Sequence, residues 1–175
     1  MDAIFTRRSI RSFLDQPIER MKITQLLRAA MQAPSAGNQQ PWEFLVIENR
    51  EILNKLSEIS PYASALKEAP CGIILLADQN TMKYPEHWEQ DLGAATQNLL
   101  LAAAQEGLGT VWLGVAPTEE RMTFLRNIFS LPPHILPYNI IGLGYPKNQR
   151  NQLIDRFNPD RIHFASFTPP PASTD

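Results

Sequence analysis

The sequence predicts a sheet flanked by helices, and three observations carry that prediction. Helical and strand-like segments alternate along most of the chain. Gly72–Ala77 is continuously apolar, as suits a strand covered on both faces. Trp88–Glu106 keeps helical spacing yet is apolar nearly all round, which places it in a core or a subunit interface. The spacings between strand candidates are uneven, so the pattern allows either a doubly wound parallel sheet or a mixed α+β sheet.

Taken in order, Ala3–Arg8 suits a short opening helix with Asp2 as its cap, and Ser12–Pro17 interrupts it. From Glu19 to Met31 the apolar residues Ile23, Leu26, Leu27, Ala30 and Met31 recur at helical spacing, and Pro34 and Gly37 end the segment. Trp42–Ile47 reads as a strand, and Glu51–Ile59 as a short helix with Ile52, Leu53 and Leu56 on one side. After the buried strand comes the long helix, which Gly107 and Gly109 stop. Thr110–Val115 and Tyr138–Leu143 are two further strands, separated by a helix over Glu119–Phe129 that Pro132-Pro133 closes.

The chain has 175 residues, 43% hydrophobic and 19% charged, which is enough for one ordinary domain with a real core. We expect that domain over residues 1–167, with 168–175 as a flexible tail rich in Pro, Ser and Thr. The longest apolar run, Leu99–Ala104, is too short to span a bilayer, and no secretory signal pattern opens the chain. One cysteine, Cys71, excludes an internal disulfide and suits the cytoplasm; beside Ala69-Pro70 it reads as a small core residue. Net charge is −2, which argues against a nucleic-acid surface. Residues 43–120 hold twelve acidic and four basic side chains, and the flanks hold the other twelve Lys and Arg. A positive pole built from both flanks suits one small anionic group, and ordinary surface scatter is the alternative.

Two arginine-bearing segments frame the chemistry, Arg7-Arg8-Ser9-Ile10-Arg11 and Asp155-Arg156-Phe157-Asn158-Pro159. Guanidinium groups suit phosphate because their planar fork makes paired, charge-assisted hydrogen bonds. Between them lies Pro34-Ser35-Ala36-Gly37-Asn38-Gln39-Gln40-Pro41-Trp42, whose amide side chains each carry a donor and an acceptor and suit the edge of a heteroaromatic ring. Taken alone, RRSIR reads first as a solvated basic turn, and Pro41 and Trp42 belong to loop and strand packing. Gly107–Gly114 resembles a phosphate loop only superficially. It follows a helix and precedes a strand, the reverse of the dinucleotide fingerprint. His87, His134 and His163 are widely spaced and form no metal-ligand pattern. Trp88, Gln90 and Asp91 at the head of the long helix form a substrate wall or pack internally.

In collinear order, RRSIR, PSAGNQQPW, GLGTVWLG, IIGLGYP and DRFNPDRIH resemble the FMN-dependent nitroreductase family from about Arg7 to His163. The resemblance implies an α+β fold, a mixed central sheet flanked by helices, in an intertwined homodimer. It implies FMN as cofactor and NADH or NADPH as a dissociable donor. Arg7, Arg8 and Ser9 with Arg156 would serve the flavin phosphate and ribityl chain. Arg11 would face the N1–O2 edge, where negative charge develops on reduction. Pro34, Ser35, Ala36, Asn38 and Gln39 would reach the flavin from the partner subunit. Relatives often carry hydroxyl residues where this chain has Ala36 and Gly37, so only backbone N–H groups can serve there. Val111, Leu113 and Gly114 would line the dimethylbenzene and N5 side.

The implied activity is hydride transfer from NAD(P)H through flavin N5 to nitroaromatic, quinone or flavin-type acceptors. No protein group beyond Arg11 is expected to act on the reacting atoms. The alternatives are a flavoenzyme of another reaction type on the same fold (dehalogenating, oxidase-like or flavin-consuming) and a non-enzymatic flavin-binding module.

Overall fold

The computed structural model describes residues 3–148, 150 and 152–167; the expected tail and the Asp2 cap lie outside them. Its helices are α1 (Ala3–Thr6), α2 (Arg20–Ala30), α3 (Arg50–Leu56), α4 (Trp88–Gln105) and α5 (Glu119–Phe129). Its strands are β1 (Trp42–Ile47), β2 (Cys71–Asp78), β3 (Gly109–Gly114) and β4 (Ile135–Gly144). They form one sheet in the order β1-β2-β4-β3 with every ladder antiparallel. Ser9 adds a parallel bridge to Thr110 at the β3 edge. The fold is thus α+β, an antiparallel sheet flanked by helices with one isolated parallel bridge at its edge, and the doubly wound parallel alternative is excluded.

Strand β2 explains the two-faced core. Its side chains alternate, with Ile73, Leu75 and Ala77 packing among Ile23, Leu26, Leu92, Ala95 and Leu99 of α2 and α4. Ile74 and Leu76 point the other way, toward Leu53, Leu56, Leu66 and Leu125 around α3 and α5. Nearly the whole strand is buried, which is why it reads as an unbroken apolar run. Helix α4 buries Leu92, Ala95, Thr96, Leu99, Leu100 and Ala103 and leaves Gln97 exposed.

Three boundaries depart by two residues or more from the sequence expectation, one of them the end of α3, which falls at Leu56 rather than Ile59. The opening helix ends at Thr6 rather than Arg8. Beyond it the Arg8 guanidinium donates to the carbonyls of Phe5 and Arg7, and the chain extends so that Ile10 N–H donates to Thr110 O at 2.8 Å. Strand β4 begins at Ile135, before the expected Tyr138. It runs through Pro137, and the register slips between Leu75 and Leu76, so Tyr138 is the extra residue of a bulge. The freed Tyr138 carbonyl accepts from both Val115 and Ala116 N–H groups, at 3.1 and 2.9 Å.

Candidate functional site

Two clefts collect most of the residues singled out in the sequence, and they share no lining residue. The first measures about 580 Å³ and is lined by Arg8, Ser9, Ile10, Arg11, Asn148, Arg150, Gln152 and Arg156. Four of the eight are arginines and none is acidic. Ile10 is fully buried, so in the extended segment Ser9 and Arg11 lie on the opposite side, toward the cleft. Arg7, expected at the phosphate, is not on the cleft wall; Arg8 takes that place because the chain leaves α1 at Thr6. Arg7 is close enough to feel the site: burial first, then the Arg8 and Arg156 guanidiniums, pull its pKa below the usual value. A cluster of like positive charges is a ready place for an anion.

The late arginine is presented by side-chain turns. Asp155 Oδ1 accepts from Phe157 N–H and Asn158 Oδ1 from Asp160 N–H, each at 2.9 Å. Arg150, Asn148 and Gln152 join the wall from the loop after β4. On sequence alone Arg150, after the Gly144-Tyr145-Pro146 turn, is a weaker phosphate candidate whose first reading is an exposed loop charge, and Asn148 and Gln152 carry no motif at all. Lys147 instead lines a different cleft, with Arg50, Lys67 and Glu68.

The second cleft, about 380 Å³, is lined by Pro34, Ser35, Ala36, His87, Gln90, Asp91 and Ala94. The loop beneath it turns sharply, with Gly37, Asn38 and Gln40 at φ of 53°, 56° and 48°. Glycine suits residue 37 for a second reason, since a Cβ there would lie 2.3 Å from Tyr84 Cε2 and would push that ring aside. Two expectations change here. The Ala36 N–H is already donated to Asp91 Oδ1 at 2.9 Å. The Gln39 side chain is buried and bonded to Asp91, Lys83 and Tyr84, so its amide is used within the subunit. Ser35 and Asn38 remain at the surface, where Ser35 Oγ accepts from Gln40 N–H at 3.0 Å and Asn38 Oδ1 from Gln40 Nε2 at 3.2 Å. Asp91 and Trp88 pack internally; Trp88 lies edge-on to Tyr138, centroids 5.8 Å apart.

Strand β3 also revises the expectation. Val111 and Leu113 are buried in the core on the α3–α5 side, because a strand that packs one face turns residues 112 and 114 outward. Trp112 is exposed and lies edge-on to Tyr138 at 5.9 Å. Gly114 is exposed with open space where a Cβ would stand, and its carbonyl accepts from Arg121 Nη1 at 2.9 Å. Among the described residues no group of His, Cys, Asp and Glu could hold a metal ion, and no helix is long and apolar enough to cross a membrane.

The Nitroreductase family model matches residues 4–61 and 60–145 of the chain. A protein of Archaeoglobus fulgidus with the provisional name NADH dehydrogenase/NAD(P)H nitroreductase is 49% identical over 163 residues, covering 91% of this chain and 94% of its own. A crystal structure from Clostridium acetobutylicum, provisionally named an NADH oxidase, superposes with a TM-score of 0.94 at 54% identity over 95% of this chain and 100% of that one. A provisionally named nitroreductase from Desulfovibrio desulfuricans, solved in complex with FMN, has a TM-score of 0.80 at 31% identity, covering 95% and 96% of the two chains.

Proposed function

Because the chain belongs to the Nitroreductase family, we propose that it is an FMN-dependent NAD(P)H oxidoreductase acting as a homodimer in the cytoplasm, with residues 1–167 as one cofactor-binding domain. The observation that carries the reading is the first cleft, with four lining arginines, a serine hydroxyl and no carboxylate. That donor set fits a phosphate monoester, which needs charge-assisted donors and is repelled by acids. The FMN complex of the Desulfovibrio desulfuricans relative and the nitroreductase name of the Archaeoglobus fulgidus relative support the same choice.

In this reading Arg8, Ser9 and Arg156 hold the phosphate end, with Arg7 reinforcing the positive field behind them. Arg11, on the same side of the segment as Ser9, presents its guanidinium to the ring edge where negative charge develops. Bound FMN supplies hydride acceptance from NAD(P)H at N5 and its redelivery to a nitroaromatic, quinone or flavin-type acceptor. Gly114, bare of side chain, lets backbone approach the ring, while Val111 and Leu113 act from the core by fixing that strand. Ser35 and Asn38, with the Pro34 and Ala36 surface, complete the site from the partner subunit. Two clefts with no residue in common are what such a shared site requires of a single chain.

The test is anaerobic titration of the purified protein with NADH and with NADPH, followed at the flavin absorbance band. Bleaching by either donor supports the reading, and a protein that binds no FMN ends it.

A further inference from the structure

Asp91 sits in the first turn of α4 and is 4% exposed. Its carboxylate accepts from Ala36 N–H and from Gln39 Nε2, the latter at 2.6 Å. The second bond decides which way the Gln39 amide faces, since a reversed amide would set its oxygen against a buried carboxylate. Gln39 Oε1 is thereby turned to accept from the N–H groups of both Lys83 and Tyr84, each at 2.9 Å. The remaining Nε2 hydrogen goes to Tyr84 O at 3.1 Å. The amide has two donors and room for two acceptances, and all four are used.

The segment held this way borders the second cleft. His87 N–H donates to Tyr84 O at 3.1 Å, and the His87 side chain lines the cleft with Gln90. The Tyr84 ring lies over Gly37, so the segment also rests directly on the loop below it. Asp91 and Gln39 thus join three separate pieces of chain: α4, the loop Ser35–Gln40 and the segment Lys83–His87. Pro34, Ala36 and Ala94 give the cleft an apolar lining, and its volume suits one ring system.

We propose that Asp91 and Gln39 are positioning residues that set the width of the second cleft, as the one open to the electron acceptor, by anchoring Lys83 and Tyr84 at the base of the segment whose far end, His87, forms the cleft wall. The proposal rests on the functional reading above. Loosening the latch lets the wall move outward, which favours bulky acceptors over small ones. A purely structural role would change all acceptors alike.

The experiment uses the full chain loaded with FMN, comparing wild type with Asp91→Asn and Gln39→Leu. Ping-pong kinetics separate kcat/KM for the acceptor from kcat/KM for the donor, measured with p-benzoquinone as the small acceptor and free riboflavin as the bulky one. Both variants should raise the riboflavin-to-benzoquinone ratio of kcat/KM by about threefold or more. In the cofactor-free protein, exchange of the Lys83 and Tyr84 amide hydrogens should accelerate about tenfold, because their shared acceptor is no longer held in place. An unchanged ratio in folded, FMN-loaded variants overturns the proposal, as do equal losses for both acceptors or unchanged exchange. If Asp91→Asn fails to fold, Gln39→Leu carries the comparison. If the wild type takes up no FMN, the functional reading fails, and the exchange rates still decide whether Asp91 and Gln39 hold the segment.

Discussion

Ile10 rests on the bare backbone of Gly109: a Cβ at residue 109 would come within 2.7 Å of the Cβ and Cγ2 of Ile10. This contact, with the hydrogen bond from Ile10 N–H to Thr110 O, fixes the arginine segment against β3. Gly109→Ala should therefore displace the segment that carries Ser9 and Arg11. Overpacking of this kind costs about 1–3 kcal/mol. Denaturant melts should show that loss, and FMN titration a weakened affinity; unchanged binding would detach the cofactor site from this contact.

Arg156→Ala should weaken FMN binding by about tenfold or more, the size of one lost charge-assisted hydrogen bond. Arg11→Ala should chiefly slow flavin reduction by NAD(P)H, with affinity less affected. Fluorescence titration of FMN and stopped-flow reduction separate the two effects. Equal affinity in Arg156→Ala would remove that residue from the site.

Mixed dimers test the shared site. One subunit carries Arg11→Ala; the other carries Ser35→Ala with Asn38→Gly, glycine being chosen because Asn38 holds φ at 56°. If each flavin draws on both chains, one site of the mixed dimer receives both defects and the other receives none. Its activity should approach about half of wild type, given independent sites and impaired parents. Activity no higher than the parents' average would show that each site is built within one subunit.

Cys71 is buried, and desolvation pushes its thiol pKa up to about 12 from the usual 9.0. The native thiol should resist alkylation at pH 8 and react only on unfolding. The shift also sets a direction for stability. Its contribution is complete below pH 9.0 and is lost progressively as pH rises toward about 12, because the unfolded thiol ionises first. Cys71→Ala should remove that part of the alkaline loss. Labelling of the folded protein at pH 8 would contradict the burial.

Most elements were legible because their ends are punctuated. Helix α5 and strand β1 match the expected bounds, one preceding Pro132-Pro133 and the other following Pro41. The start of β4 was hidden by Pro137, which breaks strand period and is accommodated by a bulge that no local pattern announces. At the site, Arg11 and Arg156 were legible as members of ordered motifs. The facing of Val111 and Leu113 was not, because a resemblance transfers positions while only the sheet's packing says which side is inward. The Gln39–Asp91 bond joins residues 52 apart in the chain, and neither spacing nor composition encodes such a partner. Arg150 was legible only as a weaker candidate, because a charge following the Gly144-Tyr145-Pro146 turn has the same pattern as an exposed loop residue.

The position of Ser9 beside Thr110 has a consequence for solubility. Strand β3 ends the sheet, and an end strand exposes backbone donors and acceptors that another chain can copy. In this protein the basic segment Arg7–Arg11 lies along that edge, so the residues proposed to grip a phosphate also stand where a foreign strand would dock. Substitutions that release the segment should thus leave a protein prone to associate edge to edge, and its aggregation would be a symptom of the same loss that empties the arginine cleft.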